Sequence, residues 1–287
     1  MDVLNSSAVK VSLEEPTSKF LEMMAFLRNF GTDTAHLIHV TSRSSAKHVQ
    51  QARDRLEELG QAVSELGIAV QTHVHHGPVP STFVEVAERH EAGYVSVFWV
   101  RQPVLRTALL GSVDADILRL SNLPVCIYNA RLFKPAVELE SVLYATDFKD
   151  TDNVIMPYLV DERFKARKLY LLHVGHRAPD PTTENRRKED ALANLQRLAR
   201  ECEHAYDEVE VIETLGRARR EIVKQAASLG VDLIVAGKSQ QTGAVRQIVG
   251  STADVLPHRA KCSVFIIPGT PRRLPPRGEP SSGGQGP

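Results

Sequence analysis

The chain alternates short apolar runs with longer amphipathic stretches. In the second half the apolar runs fall near 141–146, 168–174, 208–213, 231–236 and 262–267. They are rich in Val, Ile and Leu, the pattern of parallel strands covered on both faces rather than of strands with one wet face. The stretches between them have helical periodicity. "RKEDALANLQRLARECEHA" (187–205) sets Ala191, Leu192, Leu195, Leu198 and Cys202 along one side. "ARREIVKQAASLG" (218–230) ends on Gly230, the residue type that most easily takes the left-handed conformation that closes a helix. Strand and helix in alternation predict a doubly wound α/β sheet with right-handed crossovers.

The pattern occurs twice. "LLGSVDADILRLSNLPVCIYN" (109–129) aligns without a gap on "IVGSTADVLPHRAKCSVFIIP" (248–268), placing Gly111 on Gly250 and Pro124 on Ser263. Upstream, "HLIHV" (36–40) matches "YLLHV" (170–174), "VQTHVHHG" (70–77) matches "VEVIETLG" (209–216), and "YVSVFWV" (94–100) matches "DLIVAGK" (232–238). Matches in the same order across both halves outweigh any single motif and predict two copies of one α/β unit. The boundary is expected near "RLFKPAVELE" (131–140), giving domains over 1–133 and 138–270. The Pro/Gly/Ser-rich remainder, 271–287, has almost nothing apolar to bury and is expected to be disordered.

Composition narrows the function. At 287 residues and 42% hydrophobic, the chain can supply a core to each unit. Its 35 basic and 35 acidic residues balance, which disfavours a nucleic-acid polyanion or an acidic membrane as the main partner. No apolar run approaches the ~20 residues of a bilayer span. Cys126, Cys202 and Cys262 form no CxxC pair, arguing against a zinc knuckle and fitting a reducing cytosol. The N-terminal residues have no apolar h-region, so a cytoplasmic protein is expected.

In an open parallel sheet, ligands gather beyond the carboxyl ends of the strands, where the strand order reverses. Thr146-Asp147, Val174-Gly175 and the loop from Gly237 converge there in the second half. That loop, "GKSQQTGAVRQIVGS" (237–251), runs into a helix opening at Gly250-Ser251-Thr252. Free N–H groups and the positive dipole end there favour an anion, Ser251 and Thr252 add hydroxyls, and Lys238 and Arg246 are nearby cations. Asp147 could accept from an amine or a sugar hydroxyl.

At these residues the second half resembles a universal stress protein domain. The resemblance rests on "VLYATDF" (142–148), "LYLLHVG" (169–175), "VDLIVAGKS" (231–239), "GSTADVL" (250–256) and "CSVFIIP" (262–268). It extends more faintly over the first half and so implies a tandem two-domain member. It implies doubly wound parallel-sheet domains of the HUP/adenine nucleotide alpha hydrolase-like class. It also implies an intramolecular pseudo-dimer, the closing strands "PVCIYN" and "SVFIIP" pairing and covering each other's edges. Nucleotide-binding members carry a loop G-x2-G-x9-G-[ST]. Gly237 matches its first glycine and Gly250-Ser251 its end, but Gln240 stands at the second glycine. The resemblance puts Asp147 and Val174, with Ala145 and Thr146 beside them, in the adenosine pocket. Ala236, Lys238 and Thr252 adjoin the phosphate loop.

Gln240 disfavours a positive φ by roughly 1–2 kcal/mol, comparable to about a tenfold loss of affinity, and its amide could itself donate to phosphate. The expectation is therefore ATP bound by the second domain, with Mg²⁺ held mainly through phosphate oxygens and water. The protein would be a nucleotide-responsive stress regulator. No general base is evident near the γ-phosphate, so any hydrolysis is expected to be slow. In the first half Phe98 and Arg101 replace the early glycines, Leu13 is read opposite Asp147, and Gly93 opposite Asp232. That half reads as a structural partner without an adenosine pocket of the family type. The alternative is an interaction scaffold that binds no nucleotide in either half. Beyond the nucleotide, the reading leaves room for an unidentified protein partner and a homodimer of the tandem chain. A hydrolase or nucleotidyl transferase is a weaker third option, for want of an SGGxDS-type loop.

Other features have plainer readings. "AGKS" (236–239) lacks the upstream glycine of a Walker A loop and ends a strand instead of opening a helix. His73 and His75 share one strand face and His76 takes the other; with no acidic or Cys partner adjacent, solvated or pocket-rim histidines are favoured over metal ligands. His39 and His173, at matched positions in apolar strands, are expected to be hydrogen-bonded core residues. Ser251 reads as a helix cap or phosphate donor before a nucleophile. Pro257 is expected to kink or shorten the last helix.

Overall fold

The computed structural model describes residues 4–42, 45–99, 113–129, 139–149, 151–164, 166–238 and 252–269. The first repeat runs β1 (Ser6–Lys10), α1 (Thr17–Asn29), β2 (Thr34–Thr41), α2 (Ala46–Ser64), β3 (Ala69–His76), α3 (Val79–Arg89), β4 (Tyr94–Trp99), α4 (Val113–Leu120) and β5 (Val125–Asn129). The second runs β6 (Leu139–Thr146), α5 (Thr151–Leu159), β7 (Ala166–Gly175), α6 (Pro181–Cys202), β8 (Glu208–Leu215), α7 (Ala218–Leu229), β9 (Leu233–Lys238), α8 (Thr252–Arg259) and β10 (Ser263–Pro268). The expected boundary segment lies mostly, and the expected disordered tail wholly, outside the described residues.

All ten strands form one sheet in the order β3-β2-β1-β4-β5-β10-β9-β6-β7-β8. Pairing is parallel within each repeat and antiparallel only between β5 and β10, with Phe265 opposite Cys126. The implied pseudo-dimer is thus a sheet continuous through two tandem units. The central strands β4, β5 and β10 are buried along their whole length, as their unbroken apolar runs require. The outer strands β3 and β8 have no fully buried residue.

Among the described residues, each face of the sheet carries two helices from each repeat. One core joins α1, α2, α5 and α6 through Phe20, Leu56, Ile155 and Leu195. The other joins α3, α4, α7 and α8 through Phe83, Ile117, Ile222 and Leu256. Both run across the seam. Phe265 of β10 packs edge-on against Phe30 (ring centroids 4.9 Å) and Tyr94 (5.9 Å) of the first repeat.

Helix ends have local causes. The sequence pattern starts α6 near residue 187, but it begins at Pro181, because the Asp180 carboxylate accepts from Thr183 N–H at 3.0 Å and proline suits the first helical position. α7 closes on Gly230 at φ 66° and ψ 32°. A Cβ there would touch nothing, so Gly230→Ala is a purely conformational test. It should cost about 1–2 kcal/mol in urea unfolding. Pro257 lies buried inside α8, which spans only 8 residues.

Candidate functional site

In the second repeat the chain reverses its strand order between β6 and β9, and the carboxyl ends of β6, β7 and β9 converge there. Ala145 stands opposite Ala236 across the β6–β9 pair. Ala145, Ala236 and Val174 belong to the core face beneath α7 and α8. Small side chains thus stand at the reversal point, Ala236 buried and Ala145 partly so.

Thr146, on the opposite face, is buried. Its hydroxyl donates to Asp152 at the start of α5 (2.9 and 2.7 Å), and the Tyr144 hydroxyl donates to the same carboxylate. Burial raises the Asp152 carboxyl above its ordinary value, against the two hydroxyls that favour the anion. This knot ties the strand end to the helix that follows. Thr146 Oγ1 also accepts from Phe148 N–H at 2.9 Å, and Phe148 takes φ 59°, a left-handed turn held by that bond and by stacking on His173 (centroids 4.3 Å). The turn presents Asp147 to solvent, its side chain 52% exposed. Its carboxylate accepts from Lys149 N–H (3.3 Å) and pairs with the Lys149 ammonium (3.0 Å).

His173 Nδ1 lies 3.1 Å from the Thr146 carbonyl, and His39 Nδ1 lies 2.9 Å from that of Val11. Both rings are hydrogen-bonded and part-buried, as expected. The matched bonds correct one alignment. Val11 is the counterpart of Thr146, so Ser12, not Leu13, stands where Asp147 does. Leu13 corresponds to Phe148 and shares its left-handed backbone, at φ 68°. Counting back from the histidines fails by one residue because the β1–α1–β2 and β6–α5–β7 connections differ in length by one.

Gly237 and Lys238 end β9. A Cβ on Gly237 would lie 3.1 Å from Ile155 Cδ1 and 3.2 Å from Thr151 Cβ, both on α5. The missing side chain lets that helix approach the strand, a packing reason distinct from the phosphate contact that the loop motif implies. Gly237→Val should therefore destabilise the fold by about 1–3 kcal/mol in urea titration. The Lys238 ammonium donates to the Leu118 and Arg119 carbonyls (2.7 and 3.1 Å), at the carboxyl end of α4 in the other repeat. The dipole there favours a cation. Gln240, Arg246, Gly250 and Ser251 lie outside the described residues.

Thr252, which opens α8, lines a cleft of about 870 Å³ with His176, Arg217, Arg219, Arg220 and Arg259. Glu221 is the one carboxylate of this lining, and the four arginines outweigh it, so the cleft favours an anion. These arginines escaped the sequence reading. Their signal is "RARR" (217–220) at the amino end of α7, where cations oppose the helix dipole and so carry a local cost that folding alone does not explain.

The first repeat carries larger side chains at the matching positions. Lys10 stands where Ala145 does, and its ammonium bonds Asp114 on α4 at 2.6 Å, with side chains only 12% and 17% exposed. Val97 replaces Ala236. Trp99 replaces Lys238 and meets His258 of the second repeat edge-on at 5.0 Å.

Known proteins share this architecture. Universal stress protein MJ0577 from Methanocaldococcus jannaschii is 25% identical over 156 residues, covering 46% of this chain and 96% of its own. A universal stress protein from Archaeoglobus fulgidus superposes with a TM-score of 0.67 at 21% identity, over 93% of this chain and 99% of its own. A putative universal stress protein from Pseudomonas aeruginosa gives 0.68 at 18% identity, over 93% and 95%. At those identities the two structures speak to the fold alone. Among the described residues no helix is long and apolar enough to cross a membrane. The profile of the Universal stress protein family matches residues 21–129 and again 138–268, so the chain belongs to that family and carries its domain twice.

Proposed function

We propose that the second repeat binds an adenine nucleotide, ATP before others, in the crevice at the carboxyl ends of β6, β7 and β9, and that the protein acts as a nucleotide-responsive regulator. The observation that carries this reading is the contrast between the repeats. The second has alanine at 145 and 236, where the first has Lys10, paired with Asp114, and Val97. The base and ribose would lie over Ala145 and Val174, with Asp147 available to a sugar hydroxyl. The phosphates would extend towards Thr252 and the arginine-lined cleft, and the 237–251 loop would complete the site. Mg²⁺ would be held by phosphate oxygens and water, since Asp147, already paired with Lys149, is the sole strand-end carboxylate in this reading.

Calorimetric unfolding with and without Mg²⁺-ATP tests the proposal. ATP at a hundred times its Kd should stabilise the folded chain by about 2.7 kcal/mol. Ala145→Leu should remove that shift while leaving the unliganded protein folded. The competing scaffold reading draws on Lys238, whose ammonium bonds the other repeat. It predicts no shift at millimolar ATP.

A further inference from the structure

The second notable chemistry lies in the first repeat, on the face under α3. His36 is on β2, His73 on β3, and His90 caps the end of α3. In the parallel β2–β3 register Ile38 stands opposite His73 and Val40 opposite His75. His36, His73 and His75 therefore project to one face, and the chain reversal after α3 adds His90. The His36 and His73 rings lie 5.5 Å apart, His36 and His90 5.2 Å, and His73 and His90 4.1 Å. One ring nitrogen from each falls within 4.8 Å of the other two, and His36 Nδ1 is 3.3 Å from His73 Nε2. Zn–N bonds of about 2.0–2.1 Å in a tetrahedron set neighbouring nitrogens roughly 3.3–3.4 Å apart. One edge of that tetrahedron is already formed, and modest ring rotations would bring in the third nitrogen.

Plain packing is the competing account, and the second repeat supplies the control. Its counterparts of His36, His73 and His90 are Tyr170, Ile212 and Leu229, which join the apolar core on that face. The fold thus fills these positions with apolar and aromatic groups where nothing else is asked of them. Three imidazoles in their place, buried to the same degree, crowd groups that repel one another when protonated. Burial, and then the neighbouring histidines, bring His73 down to about 4 and lower His36. Both shifts favour the neutral imidazole, the form whose lone pairs bind metal.

We propose that His36, His73 and His90 form a binding site for a divalent transition metal of the zinc class, with the fourth position open to water. His73 and His90 are partly exposed, which gives the ion a path in. His75, whose ring lies 6.4 Å from that of His73, borders the open position. Sequence spacing alone offers His73–His76 no metal partners, because His36 and His90 are distant along the chain.

The test uses the full-length chain without a histidine tag, titrated with Zn²⁺ against a chromogenic chelator. A single equivalent should bind, and Co²⁺ should give the intense visible absorption of a four-coordinate site. His73→Ile and His90→Leu install the residues of the second repeat and should therefore fold. Each should weaken Zn²⁺ binding by about a hundredfold or more and abolish the cobalt band, whereas His204→Ala, on the exposed surface of the second repeat, should change neither. Circular dichroism confirms that each variant is folded. Failure of the wild-type chain to bind Zn²⁺ at micromolar concentration would overturn the site, as would unchanged affinity in a folded H36Y/H73I/H90L variant.

Discussion

Phe265→Ala should cost about 3–5 kcal/mol, the range for a fully buried aromatic whose neighbours cannot close the cavity. Phe265 is 1% exposed and stands on β10 at the seam. Its ring meets Phe30 and Tyr94 from the first repeat and Tyr158 from the second. Phe30 in turn packs on Phe164 of the second repeat at 5.1 Å. Phe30 cannot move into the space without leaving Phe164 of the other repeat. Urea unfolding followed by far-ultraviolet circular dichroism should show the midpoint falling for the whole chain in one transition. A loss below about 1 kcal/mol, or two separated transitions in the wild type, would mean that the repeats are stabilised independently.

Asp152→Ala should cost about 2–4 kcal/mol, because it leaves the Tyr144 and Thr146 hydroxyls without their buried acceptor. The consequence for the proposed site is larger than the distance suggests. Thr146 Oγ1 also holds the Phe148 turn that presents Asp147, so ATP affinity should fall together with stability. Asp152→Asn separates shape from charge. The folded state holds the Asp152 proton more tightly than the unfolded chain does, the ordinary value being 3.8. A raised carboxyl contributes stability that is fully present below the unfolded pKa and is lost as pH rises through the folded one. Relative to Asp152→Asn, the wild type should therefore lose stability as pH rises from about 4. Unfolding free energies of the two proteins across that range give the difference directly, with every other titrating group cancelling. A wild type that gains on the variant as pH rises would show that the two hydroxyls outweigh burial.

Much of this architecture was legible in the chain. Unbroken runs such as Leu233–Ala236 and Val264–Ile267 marked buried strands, and both are in the sheet centre. The internal match placed β5 on β10, and the closing strands are where the repeats join. The geometry around the candidate site was legible only in outline. Asp147, Ala145, Val174 and Ala236 do gather at the strand ends, but Lys238 points across the seam to the α4 carbonyls. Sequence spacing says which residue follows a strand and not which helix end lies within its reach. The one-residue slip at Leu13 has a similar origin, since connection length is free to vary where strand register is not.

The sequence by itself determined the repeat, the alternation of strand and helix, and the face each apolar position takes. Those follow from periodicity and burial, which act over neighbouring residues. Only the tertiary structure decided how distant residues meet. It brought Lys10 of β1 to Asp114 of α4, drew Arg217 and Arg259 to one cleft, and gathered His36, His73 and His90 from two strands and a helix end. Such meetings depend on register and crossover geometry, and no local pattern in the chain records them.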